Sequence, residues 1–166
     1  GGKGNCWLDW PDVAAWAEGL VAILVPDAAD ERTRVDLGEL RETFGLDAYL
    51  ALSLRRRPGD FARLRALDAL ARDVGVRSVA TGDILYHAPD RRPLQDVLTA
   101  IREKTTIDAL GFKRERFMDR ALQSPAEMER RFALFPDAIA ATADIAAACR
   151  FDLAEIKYQY PYEEVM

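Results

Sequence analysis

The chain has 166 residues, 49% hydrophobic and 31% charged, with a formal net charge of -5; this composition excludes a disordered or fibrous chain and suffices for one sizeable core. Its longest apolar run, residues 20–26, is far shorter than the roughly 18–20 residues that span a bilayer, and no charged-then-apolar leader opens it. Two distant cysteines, Cys6 and Cys149, and a single histidine, His87, argue against a disulfide framework, a thiolate zinc site and a self-contained His-rich hydrolytic metal centre, and fit a reducing cytosol.

The opening Gly1-Gly-Lys-Gly4 matches a phosphate loop only loosely, because no strand precedes it and Asn5 stands where a Ser or Thr is needed; an ordinary loop is the simpler reading. Residues 12–18 then read as a short helix, with Pro11 at its start and Gly19 at its stop. Residues 20–25 form a continuous β-branched run closed by Pro26, the pattern of a strand covered on both faces. Helical spacing returns over 35–44 and ends at Gly45, and a second strand is predicted over 48–54. Pro58-Gly59-Asp60 opens the clearest helix, with Phe61, Leu64, Leu67, Leu70, Ala71 and Val74 on one face and Gly75 after its end. A strand over 77–81 follows. This alternation predicts an α/β fold with a mainly parallel sheet, an open doubly wound sheet or part of a barrel, whose site lies at the carboxyl ends of the strands.

Beyond Pro93 the strand signals stop. Helices are predicted over 94–104, over 124–134 with Ser124 as N-cap and Pro125 at N1, and over 136–149, where the Ala-rich run 138–148 offers a smooth face for close packing. Tyr158, Tyr160 and Tyr162 alternate along a terminal stretch that Pro161 keeps out of a central strand; it reads as a docking strand or linker, with stacking on bases as the alternative. With Gly as first residue and no stop signal near Met166, the chain is expected to be a piece of a longer polypeptide.

Thr81-Gly-Asp-Ile-Leu-Tyr-His87 is the most informative stretch, since it starts at the carboxyl end of a predicted strand. If the extended conformation continues, Asp83, Leu85 and His87 share one face, and Asp83 with His87 could supply two ligands to a metal ion. The alternative makes Asp83 a turn cap and His87 a surface residue. No serine lies in a Gly-x-Ser-x-Gly setting, which sets a serine hydrolase aside.

Charge is unevenly spread: residues 1–54 carry 4 basic and 10 acidic side chains, 55–104 carry 11 and 7, and 105–166 carry 8 and 11. The basic middle and its neighbours hold the candidates for phosphate contact: residues 55–57, Arg91 with Arg92, the group Lys113, Arg114, Arg116 and Arg120, and Arg130 with Arg131. Interspersed acids make solvated surface the competing reading, and bulk DNA binding by this acidic chain is expected to be weak.

The run of residues 80–102, with its Asp-x-x-Tyr-His, paired Arg, Pro-Leu-Gln-Asp-Val and Ile-Arg, resembles the bacterial DNA polymerase III alpha-subunit family, most closely its error-prone, damage-inducible branch. Gly2-Lys-Gly4 with residues 10–15, and Phe135-Pro-Asp-Ala-Ile139 through Phe151, are similar to flanking segments of that family. The resemblance implies that residues 1–105 are the latter part of a polymerase-and-histidinol-phosphatase (PHP) domain, a distorted α/β barrel, and that 106–166 are a helical connector toward the polymerase thumb and palm. It puts Asp83 on the Asp of the family's Asp-x-His pair and Leu85, which cannot bind metal, on the His. It further implies a DNA-directed DNA polymerase as the parent, acting in damage-tolerant synthesis and repair in the cytoplasm. Its Mg²⁺ would be bound outside this segment. Primer-template DNA, nucleotides, a sliding clamp and accessory mutagenesis proteins would be its partners. Arg91, Arg92, Arg114 and Arg116 would touch DNA phosphates, and the segment alone would be inactive, since upstream PHP histidines and palm aspartates lie outside it. The alternative is a truncated PHP-type metal-dependent phosphoesterase using Asp83 and His87.

Overall fold

The computed structural model describes residues 4, 6–55, 57–114 and 118–156. Helix α1 (Trp10–Ala15) starts at a capping box in which Asp9 and Asp12 each accept the other's backbone N–H at 3.2 Å. Strand β1 (Ala22–Leu24), helix α2 (Glu31–Phe44), strand β2 (Ala48–Ser53), helix α3 (Asp60–Val74) and strand β3 (Arg77–Thr81) then alternate. The strands form one parallel sheet in the order β1-β2-β3. Asp30 caps α2, its carboxylate accepting the Thr33 N–H at 2.8 Å. That bond, and then the Thr33 hydroxyl, pull the Asp30 pKa down.

Helices α4 (Arg92–Glu103), α5 (Pro125–Arg131) and α6 (Pro136–Ala148) follow, as the sequence predicts, with Ser124 capping α5 through the Glu127 N–H. The helical half does not stand apart. Phe132, Phe135 and Ala138 join Leu37, Leu50, Leu52, Leu64, Leu67 and Ala80 in one core. On the sheet's other face, Ala141 and Ile145 of α6 cover Tyr49 and Val79. Each fully buried leucine contributes about 1.5–3 kcal/mol relative to an exposed one. Among the described residues no helix is long and apolar enough to cross a membrane.

Two expectations change in the structure. The strand predicted over 20–25 narrows to Ala22–Leu24, and instead of being covered on both faces it leaves Ile23 40% exposed. The reason is its place at the sheet edge, paired only with β2 among the described residues. Past Thr81 the extended conformation stops, because Asp83 turns the backbone at φ 47. The period-2 alternation that would put Asp83, Leu85 and His87 on one face therefore does not apply there.

Candidate functional site

The carboxyl ends of β2 and β3 lie side by side, pairing Ser53 with Thr81, whose hydroxyls meet at 2.6 Å. Buried Asp60, at the start of α3, pins the segment that leaves β2. Its Oδ2 accepts the N–H groups of Arg55 (2.7 Å) and Arg57 (3.1 Å), and its Oδ1 accepts from Arg63 Nε at 3.1 Å. Arg63 reaches on to donate to the Ser53 carbonyl at 2.5 Å. A carboxylate that gathers two backbone donors and a guanidinium makes a rigid corner out of what would be a loose loop.

Asp83 is the centre of the arrangement. Its Oδ2 lies 2.6 Å from Arg55 Nη2, an ion pair outside hydrogen-bonding alignment, and Arg55 also faces Asp27 at 3.7 Å. From the other side Arg120 forks onto the same residue, donating to the Asp83 carbonyl from Nε and to Oδ1 from Nη2, both at 2.8 Å. The backbone adds to this junction: Leu85 N–H donates to the Arg120 carbonyl at 2.8 Å, and Tyr86 bridges Ala121. One carboxylate thus ties β2, the turn after β3 and the segment leading into α5.

His87 is exposed and lines a different cavity, with Leu85, Arg91, Leu94 and Leu98, in which Asp83 takes no part. As placed, these side chains do not fit a metal ion. Both Asp83 oxygens face guanidinium groups, and among the described residues no three His, Cys, Asp or Glu side chains come together as ligands.

Of the arginines read as phosphate contacts, Arg92 and Arg114 converge on Asp96, only 4% exposed, at 3.8 and 2.8 Å. Arg91 is exposed and forms no ion pair among the described residues. Arg116 lies outside the described residues, as do Lys3, Arg56 and the three C-terminal tyrosines. A further cluster binds α5 to the preceding loop: Arg131 pairs with Asp119 at 3.3 Å and with Glu127 at 2.7 Å, while Arg130 grips Glu127 at 2.7 and 2.8 Å. Hydrogen bonds from Arg130 and then Arg131 bring the Glu127 pKa to about 2, from 4.5.

Apart from Asp83, the sequence singles out the arginines but not their carboxylate partners. Asp60, Asp96 and Asp119 carry no signal except short-range spacing, as in Asp60 with Arg63 three residues on. The arrangement is a set of charge-paired junctions. Chemically it can hold elements in register, and it offers Arg91, next in sequence to the paired Arg92, as a cation with no carboxylate partner among the described residues.

No family model matches the chain. Against curated proteins it is 49% identical over 163 residues to Error-prone DNA polymerase 1 of Agrobacterium fabrum, covering 98% of this chain and 15% of that protein. It is 50% identical over 166 residues to Error-prone DNA polymerase 2 of Rhizobium meliloti, covering 100% and 15%. To the Error-prone DNA polymerase of Brucella suis it is 42% identical over 164 residues, covering 98% and 15%. The chain therefore spans about 15% of the length of these relatives.

Proposed function

This chain belongs to the error-prone DNA polymerase family, and from that premise we propose that a polypeptide carrying it adds nucleotides to a primer end under template direction during damage-tolerant synthesis. The observation that carries the reading is identity of 47% to 50% to several such polymerases over the full 166 residues. Mg²⁺ and the incoming nucleotide are held outside this segment, with primer-template DNA as substrate, a sliding clamp and accessory mutagenesis proteins as partners, and the cytoplasm as the compartment.

Within that polypeptide we read residues 1–105 as the latter part of a PHP-like distorted barrel and 106–166 as a connector. The segment's role is structural, with no catalysis of its own. Support comes from the junctions: Asp60, Asp83, Asp96 and Asp119 each engage at least one arginine, and the Asp83 junction joins the carboxyl edge of the sheet to the segment before α5. Arg91, next in sequence to Arg92, is an exposed side chain free to add a phosphate contact, because its guanidinium holds no carboxylate among the described residues.

The test is primer extension by the purified longer polypeptide with Mg²⁺ and all four nucleotides, on an intact template and on one with an abasic site. Extension on both, continuing past the lesion, is expected. No extension, with hydrolysis of simple phosphate esters in Zn²⁺ or Mn²⁺, would make the protein a phosphoesterase instead.

A further inference from the structure

Helix α4 is built the wrong way round for a surface helix. The side it buries carries Asp96 and Ala100, with Asp96 held by Arg92 and Arg114. The side it leaves open carries Leu94 (57% exposed), Val97 (39%), Leu98 (48%) and Ile101 (68%). That spacing of i, i+3, i+4 and i+7 is the continuous stripe that an amphipathic helix normally turns to a core. Leu85, from the turn after β3, extends the stripe by lining one cavity with Leu94 and Leu98. No described residue covers it. A surface helix that spends its inward face on an ion pair and its outward face on four aliphatic side chains is a helix with a second partner.

We infer that the α4 stripe is an internal docking face, covered in the longer polymerase by an apolar surface of the same polypeptide lying outside this segment. Size selects this occupant. Four aliphatic side chains, each partly exposed, and one neighbour offer a few hundred Å², well short of the roughly 800 Å² per partner of a standard interface between separate molecules. A free partner must also offset lost translational and rotational freedom, whereas a covalently tethered one arrives at a high effective concentration. The chain is matched along its length by proteins of which it covers only 15%, so such a tethered partner has abundant polypeptide to come from. The inference rests on that match in length and not on the catalytic reading.

The experiment uses the full-length polypeptide and needs no polymerase activity. Carbene footprinting of the dilute monomer is compared with the same protein unfolded in urea, with buried Leu64 and Leu67 as internal references. Photoreactive leucine is then incorporated in a mixture of isotopically light and heavy protein, and the cross-links are mapped. Expected are loss of labelling at Leu94, Leu98 and Ile101 to the level of Leu64, and cross-links to residues outside this segment that never mix isotopes. Labelling as strong as in urea overturns the inference. So does protection that appears only at high concentration with isotope-mixed cross-links, which is a second copy. Protection that appears only when another protein is added, or cross-links confined to this segment, overturn it equally.

Discussion

Asp83 holds a backbone conformation, φ 47, that few residues other than glycine adopt, and Asp and Asn are among those that tolerate it. Replacing it by Asn keeps that tolerance but removes the charge and sets an amide N–H donor against one of the two guanidinium groups, leaving Arg55 and Arg120, with side chains 25% and 20% exposed, without their shared counter-ion. Asp83→Asn is expected to lower unfolding stability by about 2 kcal/mol, read as a drop in the urea midpoint at constant slope. An unchanged midpoint would reduce the junction to ordinary surface pairing. Glu127 provides a pH signature. Its folded pKa of about 2 lies below the ordinary 4.5, so its contribution is fully present above pH 4.5 and is lost as pH falls through about 2. Glu127→Gln should remove part of the acid-induced loss of stability between those two values, and an acid limb identical to that of the parent protein would refute the assignment.

At the scale of elements, α3 was the most legible. Leu64, Leu67, Leu70 and Ala71 occupy its buried face as their spacing predicts, although Phe61 stays 48% exposed near its first turn. Gly75 closes the helix at φ 78, where an added Cβ would run into the Arg41 guanidinium that donates to the Val74 and Gly75 carbonyls. Gly75→Ala should therefore cost about 1–2 kcal/mol, a Tm loss of roughly 2–8 °C for a domain of this size. Helix α4 was legible as a helix but not in its orientation, because an apolar stripe announces a buried face and does not say what buries it. The segment between α4 and α5 carried little periodic signal. Its role rests on Arg120 meeting Asp83 across 37 positions, a pairing made by the fold and invisible to any local pattern.

Over the whole molecule, the net charge of -5 opposes phosphate binding in bulk, so any DNA contact has to be local. On the proposed reading, reversing Arg91 and Arg92 to Glu in the longer polypeptide, with the fold checked by circular dichroism because Arg92 also faces buried Asp96, should weaken primer-template affinity and reduce the salt slope by roughly one for each phosphate that is no longer neutralised. Identical affinity and slope would remove these residues from the interface. The likeness to the error-prone DNA polymerases was legible because the run 80–102 is long and specific. The Asp83 junction was hidden because Arg55 and Arg120 reach it from 28 and 37 positions away, and pairs three or four residues apart, such as Asp60 with Arg63, look like any solvated helix surface. The packing of α6 has a consequence for the order of synthesis. Tyr49 and Val79 emerge from the ribosome well before Ala141 and Ile145, which cover them. At roughly 5–20 residues per second the wait is on the order of several seconds. Through that interval a finished β-α-β-α-β unit has this apolar face bare, so a nascent chain paused between β3 and α6 should recruit more holdase chaperone than one in which α6 has cleared the ribosome and packed on Tyr49 and Val79.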